Sequence, residues 1–354
     1  MKSVILEKPE HFVLTDRTVP AALEAGTALV RVHRVGICGT DLHAYRGRQP
    51  FFSYPRILGH ELGVEVVEMS NGPETSREMP RITVGDRCAV EPYINCGQCS
   101  ACRRGKTNCC SSLQVLGVHT DGGMQEFIRV PIHKLHPSSQ LSFDQLALVE
   151  TLGIGAHAVE RASLTQGENV LVIGAGPIGL SVIQFAQFAG VHLAVMDVNE
   201  QRLQFCSDRF HISHTIRPLD SQGEKLDSAH IETLILDRFS GELPTAVFDA
   251  TGHADSMMQA FRYVEQGGRL TFVGLVTSEI TFPDPEFHRR EMTLMATRNS
   301  TADNFRRIIG WMETGQIDTT PWITHRASLT EMIGEFPRWL DPTNGVVKAM
   351  VHLD

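Results

Sequence analysis

The pattern of hydrophobic and polar positions changes character near Leu152. Before this residue, short runs rich in β-branched side chains alternate with turns, as in "ALVRVHRVGIC", "GVEVVEM", "DRCAVEPY" and "MQEFIRVP". Short runs of this kind, bounded by turn-forming residues, are typical of β-strands. The first part of the chain is therefore predicted to form an irregular, mostly β domain.

From about Gly167 onward, apolar runs alternate with amphipathic stretches such as Pro177–Ala189, Gln201–Phe210 and Ala254–Glu265. Repeated strand–helix alternation predicts a parallel sheet, because parallel strands need crossover connections and these are usually helices. The pattern therefore predicts an α/β fold with a doubly wound parallel sheet, covered by helices on both faces. The six predicted strands are Asn169–Gly174, Val191–Asp197, His214–Pro218, Thr245–Gly252, Arg269–Leu275 and Met292–Arg298.

Two helical segments and a final strand-like run, "VVKAMVHL" (Val346–Leu353), follow this sheet. A strand needs a partner for its backbone N–H and C=O groups. We therefore expect Val346–Leu353 to return to the first domain and pair there.

Composition narrows the class of protein. A chain of 354 residues has room for two domains, and 42% apolar with 21% charged residues is ordinary for a globular protein. The net charge of −9 argues against a nucleic acid or an acidic membrane surface as partner.

The sequence also predicts a compartment. "MKSVILEKPEHF" has only a short apolar run before Glu7, which predicts no signal peptide. The most apolar stretch, Val170–Ile183, is interrupted by glycines and Pro177 and is shorter than the roughly 20 residues of a membrane helix. The 16 His and 8 Cys residues then point to metal ligands rather than disulfides. We expect a cytoplasmic protein.

A glycine motif predicts a dinucleotide site. In "VLVIGAGPIGL", Gly174, Gly176 and Gly179 follow a predicted strand and open a predicted helix. These glycines permit a tight turn, close approach of a pyrophosphate and close helix–strand packing, and the helix N-terminus offers free N–H donors. Asp197 ends the next predicted strand, where a carboxylate binds ribose hydroxyls and repels a 2′-phosphate. NAD is therefore favoured over NADP; the alternative is a glycine turn without a nucleotide.

Five of the eight cysteines lie in "CGQCSACRRGKTNCC". Cys96, Cys99 and Cys102, together with a cysteine further on, have the spacing of a tetrahedral four-cysteine zinc site, which is closed and therefore structural. Spacing alone leaves both Cys109 and Cys110 open as the fourth ligand.

A second group of metal-capable residues lies in "GICGTDLHAY" and "ILGHELG". It comprises Cys38, His43, His60 and Glu61. A catalytic zinc takes about three ligands of these types and keeps one position open. Taken alone, Cys38 and His60 are better explained as a buried structural cysteine and a core histidine.

The motifs "GHELGVEVVE", "CGTDLHAY", the cysteine run and "VIGAGPIGL", in this order, resemble the zinc-dependent medium-chain dehydrogenases, especially their sorbitol and threonine dehydrogenase branch. "QPFFSYPRILGHE", "GKTNCC", "GVHTDGG" and "DPEFHRRE" are similar to segments of the bacterial L-galactonate 5-dehydrogenase group. The resemblance covers essentially the whole chain. It implies a GroES-like, mostly β catalytic domain at 1–151 and 291–354, and a Rossmann NAD-binding domain at 152–290.

The resemblance also implies metal ligands. Cys38 and His60 are expected to bind a catalytic zinc, with Glu61 beside it, bound directly or through water. Glu150 in "ALVETLGIGAHA" matches the family's acidic residue and is a third or an exchanging ligand. Thr151 stands where the family usually has proline, which puts the posture of Glu150 in question.

Further roles follow from the same resemblance. Asp41 matches the carboxylate that orients the histidine ligand. Thr40 and His43 match a proton-relay pair; the alternatives are a turn threonine and a surface histidine. The family spacing selects Cys110 as the fourth ligand of the structural zinc, so that Cys109 is not a ligand.

The resemblance places "GLVTS" (Gly274–Ser278) and "TRNS" (Thr297–Ser300) near the nicotinamide. Arg298 could pair with a substrate carboxylate, or form an ordinary ion pair instead. His119, Arg46 and Arg48 are weaker substrate candidates. The expected cofactor-binding residues are Gly174, Gly176, Pro177, Ile178, Gly179, Asp197, Arg202, Thr251, Val273, Gly274, Leu275 and Arg298.

Together these features predict an enzyme that uses one catalytic and one structural zinc ion and NAD⁺. It is expected to oxidise a secondary hydroxyl of a sugar acid to a ketone, with a polyol or L-threonine as alternative substrate. The resemblance suggests a homodimer or homotetramer. Two other classes of protein are compatible with parts of the sequence: a zinc-ribbon nucleic-acid binder, because Arg103, Arg104 and Lys106 lie within the cysteine run, and a catalytically silent NAD-binding protein. Negative charge disfavours the first, and the intact set of candidate ligands disfavours the second.

Overall fold

Two different sheet architectures occur in the chain, each in its own unit. The computed structural model describes residues 1–20, 23–70 and 81–353. It divides into a first unit, Met1–Gly153 with Ser300–Asp354, and a second unit, Ile154–Asn299.

The first 153 residues are mostly β-structure, as their short apolar runs predict. Short 3₁₀ turns cover Thr107–Cys109 and Ile132–Lys134. The strands are β1 (Lys2–Lys8), β2 (His11–Asp16), β3 (Thr27–Gly36), β4 (Glu61–Met69), β5 (Arg87–Val90), β6 (Tyr93–Ile94), β7 (Gln114–Val115), β8 (Phe127–Pro131) and β9 (Leu135–Pro137). The helices are α1 (Gly39–Tyr45), α2 (Ser100–Arg103) and α3 (Phe143–Ala162), the last continuing into the second unit.

The second unit alternates strands and helices. Its strands are β10 (Asn169–Ile173), β11 (His192–Met196), β12 (His214–Ile216), β13 (Ala246–Asp249), β14 (Arg269–Phe272) and β15 (Thr293–Ala296). Its helices are α4 (Pro177–Phe188), α5 (Glu200–Phe210), α6 (Ser228–Arg238), α7 (Ala254–Ala260) and α8 (Asp284–Arg289), with a 3₁₀ turn at Phe261–Tyr263.

The segment from Ser300 completes the first unit. It contains α9 (Ala302–Glu313), β16 (Ile323–Ser328), α10 (Met332–Trp339) and β17 (Lys348–His352), with 3₁₀ turns at Thr320–Trp322 and Pro342–Asn344. Strand β17 pairs antiparallel with β3, so that Met350 lies opposite Gly36. The predicted return of the C-terminal strand to the first domain is therefore confirmed.

The first unit is built on a seven-stranded sheet in the order β16-β17-β3-β4-β5-β9, with β8 also pairing with β3. Alternate side chains of β3 and β4, including Val30, Val32, Val64 and Val66, lie in its hydrophobic core. Burying the apolar side chains of these strands fixes their register, because a slip by one residue would turn every side chain to the other face.

The second unit contains a six-stranded parallel sheet in the order β12-β11-β10-β13-β14-β15. In β10, Val170–Ile173 are all buried, as expected for a strand covered on both faces. The strand order reverses between β10 and β13, and ligands of such sheets bind where the carboxyl ends of the strands meet at this point. The predicted doubly wound parallel sheet is confirmed.

The units divide at other residues than expected. The predicted catalytic domain includes residues 291–354. Strand β15 lies in this range, yet it pairs along its whole length with β14 of the second unit, with Arg269 opposite Thr293. Backbone pairing therefore holds residues 293–296 in the second unit, and the borders fall after Gly153 and Asn299. Among the residues described, no helix combines the length and apolar character needed to cross a membrane.

Candidate metal and nucleotide sites

The glycine motif forms the turn between β10 and α4. Gly174 has a φ of 96°, a region that favours glycine. A Cβ on Gly179 would lie 1.7 Å from the carbonyl oxygen of Gly174, so only glycine lets α4 pack this closely on the turn. Gly176 is the N-cap of α4, with Pro177 and Ile178 in its first turn. The free N–H groups of this helix end are suited to a phosphate.

Asp197 lies just beyond β11 and is 9% exposed. Its Oδ2 accepts a hydrogen bond from the Ala175 N–H at 2.6 Å, and its Oδ1 accepts one from the Asn199 N–H at 2.8 Å. Arg202 of α5 reaches back toward the motif, since its Nη1 would be 3.6 Å from a Cβ on Gly176. The structure thus brings Asp197 and Arg202 to the glycine turn.

A buried aspartate that sequence reasoning missed organises the next loop. Asp249, at the end of β13, accepts hydrogen bonds from Thr251 N–H at 3.0 Å and Thr251 Oγ1 at 2.6 Å. Ser256 donates to its other oxygen at 2.6 Å. Burial raises the pKa of Asp249 despite these donors. Its position at the end of the run "TAVFDATG" was the available signal.

The remaining nucleotide candidates follow β14 and β15. Val273 and Gly274 donate their N–H groups to the Asp249 carbonyl oxygen at 2.9 and 3.1 Å, while Leu275 is exposed. Arg298, also exposed, follows β15 in the second unit.

The other substrate candidate, His119, belongs to the first unit, where its Nδ1 accepts a hydrogen bond from Val115 N–H at 3.1 Å.

The scattered metal candidates Cys38, His60 and Glu61 converge, because β3 and β4 are adjacent antiparallel strands. Gly36 lies opposite Glu61, so Cys38, just beyond β3, meets His60, just before β4. One ligand atom from each of the three side chains lies within 4.8 Å of the others. A thiolate, an imidazole and a carboxylate are the donor types that zinc prefers.

Asp41 supports this group. It is fully buried in α1, and its Oδ2 accepts a hydrogen bond from the Cys38 N–H at 2.9 Å. Its Oδ1 lies 3.7 Å from His60 Nδ1. Burial raises the pKa of Asp41, although His60 opposes this. Burial lowers the pKa of His60, but Asp41 and Cys38 outweigh it and raise that pKa well above its usual value.

Two polar atoms here, Asp41 Oδ1 and His60 Nδ1, are buried and have no hydrogen-bond partner among the described residues. Unpaired buried polar atoms are rare and call for an explanation. A zinc ion bound at Cys38 and His60 supplies one, because it would fix the imidazole and leave its other N–H to face Asp41. The residues present therefore fit a zinc ion.

The two glutamates are held in different ways. Both Glu61 oxygens accept hydrogen bonds from Lys348 Nζ, at 2.7 and 2.8 Å. Burial lowers the pKa of Lys348, but Glu61, Cys38 and Glu150 together outweigh it, and that pKa is raised. Glu150, in α3, accepts a short hydrogen bond from the Tyr93 hydroxyl and falls outside the three-residue group. Burial is the main cause that raises its pKa.

Sequence reasoning missed Lys348 and Tyr93. A lysine within the apolar run "VVKAMVHL" was the only signal for the first. Thr151, next to Glu150, is buried, and its hydroxyl has no hydrogen-bond partner among the described residues.

Thr40 and His43 lie one turn apart in α1 and thus on one side of the helix. His43 is accessible to solvent. Partial burial lowers its pKa, and Arg48 and Arg46 add to the effect. The lowered pKa favours the neutral imidazole, which can accept a proton.

The cysteine run forms a second metal-capable group, in which the Sγ atoms of Cys96, Cys99, Cys102 and Cys110 lie within 4.8 Å of one another. Backbone N–H groups point at the sulfurs, such as Cys96 N–H at 3.3 Å from Cys110 Sγ. Such donors from Cys102 and Ser111 are the main cause that lowers the pKa of Cys99 to about 5. Thiolates in this arrangement fit a closed zinc site. Cys109 is exposed and lies outside the group.

Comparison with known proteins agrees with this architecture. The alcohol dehydrogenase GroES-like domain family matches residues 24–140, and the zinc-binding dehydrogenase family matches residues 177–314. L-galactonate-5-dehydrogenase of Escherichia coli (strain K12) is 36% identical over 99% of this chain and 98% of its own. Sorbitol dehydrogenase of Bacillus subtilis (strain 168) is 29% identical over 99% of this chain and 97% of its own.

A crystal structure from E. coli CFT073, described as a short chain alcohol dehydrogenase complexed with cofactor NADH, has a TM-score of 0.87 and 28% identity. The similarity covers 100% of this chain and 99% of that one. The expected family resemblance and the expected GroES-like and Rossmann folds are confirmed. The chain therefore belongs to the zinc-binding, medium-chain alcohol dehydrogenases, oxidoreductases that act on hydroxyl groups with zinc and a nicotinamide nucleotide.

Proposed function

We propose that the chain oxidises a secondary hydroxyl of a sugar acid of the L-galactonate type to a ketone, with hydride transfer to NAD⁺. The observation that carries the substrate proposal is the 36% identity to L-galactonate-5-dehydrogenase over nearly the full length of both chains. The convergence of Cys38, His60 and Glu61 supports the reaction class.

Cys38 and His60 would hold the catalytic zinc, with Glu61 and Glu150 as the neighbouring carboxylates. When bound, zinc supplies a Lewis acid that lowers the pKa of the substrate hydroxyl. Asp41, whose carboxylate is fixed by the Cys38 N–H, would orient the His60 ring once zinc is bound.

The proton of the hydroxyl leaves through the chain's own residues. The Thr40 hydroxyl can accept one hydrogen bond and donate another, which a group that relays a proton must do. His43, one helical turn further on and accessible to solvent, has a lowered pKa that favours the neutral imidazole, and it would take up the proton. When bound, the nicotinamide would supply the hydride acceptor, so that loss of hydride from the carbinol carbon leaves a ketone.

The second unit would bind the nucleotide. The N–H groups of Gly176 and Ile178, on either side of Pro177, would donate to the pyrophosphate, and Gly179 allows α4 to pack closely on the turn. The Asp197 carboxylate, fixed by Ala175 and Asn199, would accept from the ribose hydroxyls and repel a 2′-phosphate. Arg202, Thr251, Val273, Gly274, Leu275 and Arg298 complete the proposed set. NAD is therefore proposed over NADP.

The four-cysteine group would hold the structural zinc and fix the segment from Cys96 to Cys110. The remaining proposals follow from the family: a homodimer or homotetramer, small-molecule partners only, and a cytoplasmic location. Strand β15, with Leu294 exposed, is one of the two edge strands of the described parallel sheet, the other being β12, and we propose that its unpaired backbone groups meet another copy.

Arg298 is the proposed partner of the substrate carboxylate. It follows β15 at the carboxyl edge of the parallel sheet, where ligands of such folds bind. A planar guanidinium matches a carboxylate.

The test measures NAD⁺ reduction with L-galactonate and other sugar acids, with neutral polyols such as sorbitol, and with L-threonine. The highest kcat/KM is expected for a sugar acid. Arg298→Ala should raise KM for acids by about 10–100-fold, the cost of one charge-assisted hydrogen bond, and leave KM for polyols unchanged. Arg307→Ala, which removes another exposed arginine, stacked on Trp311, is the matched control.

Activity confined to polyols would contradict the sugar-acid proposal and favour the second candidate, a sorbitol-type dehydrogenase. That candidate rests on the 29% identity to the B. subtilis enzyme over almost the full length of both chains. Activity confined to L-threonine would contradict both.

A further inference from the structure

Lys348 is a buried cation placed beside the metal-capable group of Cys38, His60 and Glu61. Its side chain is 1% exposed. Its ammonium group donates to both Glu61 oxygens, at 2.7 and 2.8 Å, and to the Ile37 carbonyl oxygen at 3.1 Å. A lysine ammonium has three donors, so all of them are used.

Stability alone gives a weak reason for this lysine. The free energy needed to remove two charges from water is about as large as the free energy gained from their attraction. Apolar residues can often replace such a buried ion pair without a loss of folding stability. The next residues of β17, Ala349, Met350 and Val351, are buried and apolar. A lysine at this place therefore points to a role at its partner, Glu61.

Glu61 is close enough to ligate a metal, yet it is held by another group. One of its oxygens lies within 4.8 Å of the ligand atoms of Cys38 and His60. Both oxygens are nevertheless bonded to Lys348. Gly36, opposite Glu61 in the sheet, leaves the space for this posture, since a Cβ there would lie 2.0 Å from Glu61 Oε2.

Glu150 is held less tightly. Tyr93 donates to one of its oxygens, and within the described ranges no other hydrogen bond or ion pair reaches its carboxylate. Of the two candidate carboxylates, Glu61 is thus the one whose oxygens are both engaged.

We propose that Lys348 is a positioning residue, which holds the Glu61 carboxylate beside the metal as a fixed anion and keeps it from becoming a ligand. A coordination position then stays open for the substrate hydroxyl. This inference rests on the proposed function in one respect, that Cys38 and His60 bind zinc.

The probe is Co²⁺ substituted for zinc, because its visible bands weaken as the coordination number rises. Spectra are recorded for the parent chain, Glu61→Gln, Lys348→Met and the double variant, and affinity is measured by chelator competition. The spectrum of Cys38→Ser is subtracted from each, which removes the contribution of the four-cysteine group.

Glu61→Gln is expected to keep the parent bands. Lys348→Met frees Glu61 and removes a positive charge, so its bands should weaken and Co²⁺ should bind about 10–100-fold more tightly, the usual scale of outer-sphere effects. The double variant should return to the parent spectrum. Lys134→Met is the matched control, because it removes a lysine equally buried and paired with Glu91 instead of a candidate ligand.

A folded Lys348→Met with the parent spectrum and affinity would overturn the proposal, and so would altered bands in Glu61→Gln. The second result decides the matter even where Lys348→Met does not fold. A parent chain without Cys38-dependent bands would instead refute the metal site of the proposed function, and the role of Lys348 with it.

Discussion

Cys109 and Cys110 are neighbours in sequence with different surroundings. The Cys110 sulfur is buried and accepts hydrogen bonds from the Cys96 and Ser112 N–H groups, at 3.3 and 3.4 Å. Cys109 is exposed and ends a 3₁₀ turn. A single peptide unit therefore separates a metal-capable sulfur from one that faces solvent.

Replacing these two residues should have opposite outcomes. Cys109→Ser is expected to retain both zinc ions per chain, because its sulfur takes no part in the group. Cys110→Ser should lose one zinc and unfold at lower temperature, since binding free energy at a structural site is folding free energy. Elemental analysis and thermal melts measure both effects. Equal zinc content in the two variants would contradict the assignment of Cys110.

Single residues also mark the limit of prediction from sequence. The glycines of the β10–α4 turn were predictable, because each has a local steric reason and the motif is short. Lys348, Tyr93 and Asp249 were not, since their roles depend on partners. The Lys348–Glu61 pair spans 287 residues, and no local pattern carries that information.

At the level of elements, one carboxylate connects three strands of the parallel sheet. Glu168 precedes β10 and accepts hydrogen bonds from Arg269 in β14, at 2.7 and 2.8 Å, and from Thr245, before β13, at 2.6 Å. Its side chain is 9% exposed. Burial raises the pKa of Glu168, but Arg269 and Thr245 outweigh it and hold that pKa at about 2.

This shift predicts a pH dependence of stability. The pKa of Glu168 in the folded state lies below the unfolded value of 4.5. The contribution of its carboxylate to the free energy of unfolding is therefore complete above about pH 4.5 and is lost as the pH falls toward 2. Glu168→Gln should lower the free energy of unfolding at pH 7 by about 1–3 kcal/mol and flatten its decline between these pH values. Urea unfolding at several pH values is the measurement.

Glu286→Gln serves as the control, because Glu286 forms an exposed pair with Arg289. Surface pairs contribute little, so this variant should behave like the parent chain. A Glu168→Gln variant with the parent's free energy of unfolding at pH 7 would show that the bonds of Glu168 to Arg269 and Thr245 do not stabilise the fold.

The elements themselves were predicted with uneven success, for physical reasons. The core strands of the parallel sheet, such as β10 and β11, are continuous apolar runs, because both faces are covered. The edge strand β15 has mostly exposed side chains, and its assignment to the second unit depends on pairing with β14. The border near residue 290 could not be placed without that pairing.

At the scale of the whole molecule, the two sets of candidate functional residues belong to different units. Cys38, His60 and Glu61 lie in Met1–Gly153, whereas the glycine motif and Asp197 lie in Ile154–Asn299. Each unit has its own hydrophobic cluster and its own sheet.

Removal of metal should therefore separate catalysis from nucleotide binding. After treatment with a chelator, NADH production is expected to stop, while the affinity for NADH, followed by its fluorescence, stays at the value of the untreated chain. Added zinc should restore turnover. Turnover that survives complete loss of zinc would contradict the proposed Lewis-acid chemistry.

The pairing of β17 with β3 also has a consequence for biosynthesis. The ribosome delivers Cys38, His60 and Glu61 early, but the lysine that neutralises Glu61 emerges 287 residues later. During translation of that interval, the second unit is made in full, while the first still lacks two strands of its main sheet, β16 and β17. The first unit is thus completed after the second, and the Lys348–Glu61 pair cannot form in a nascent chain before β17 docks.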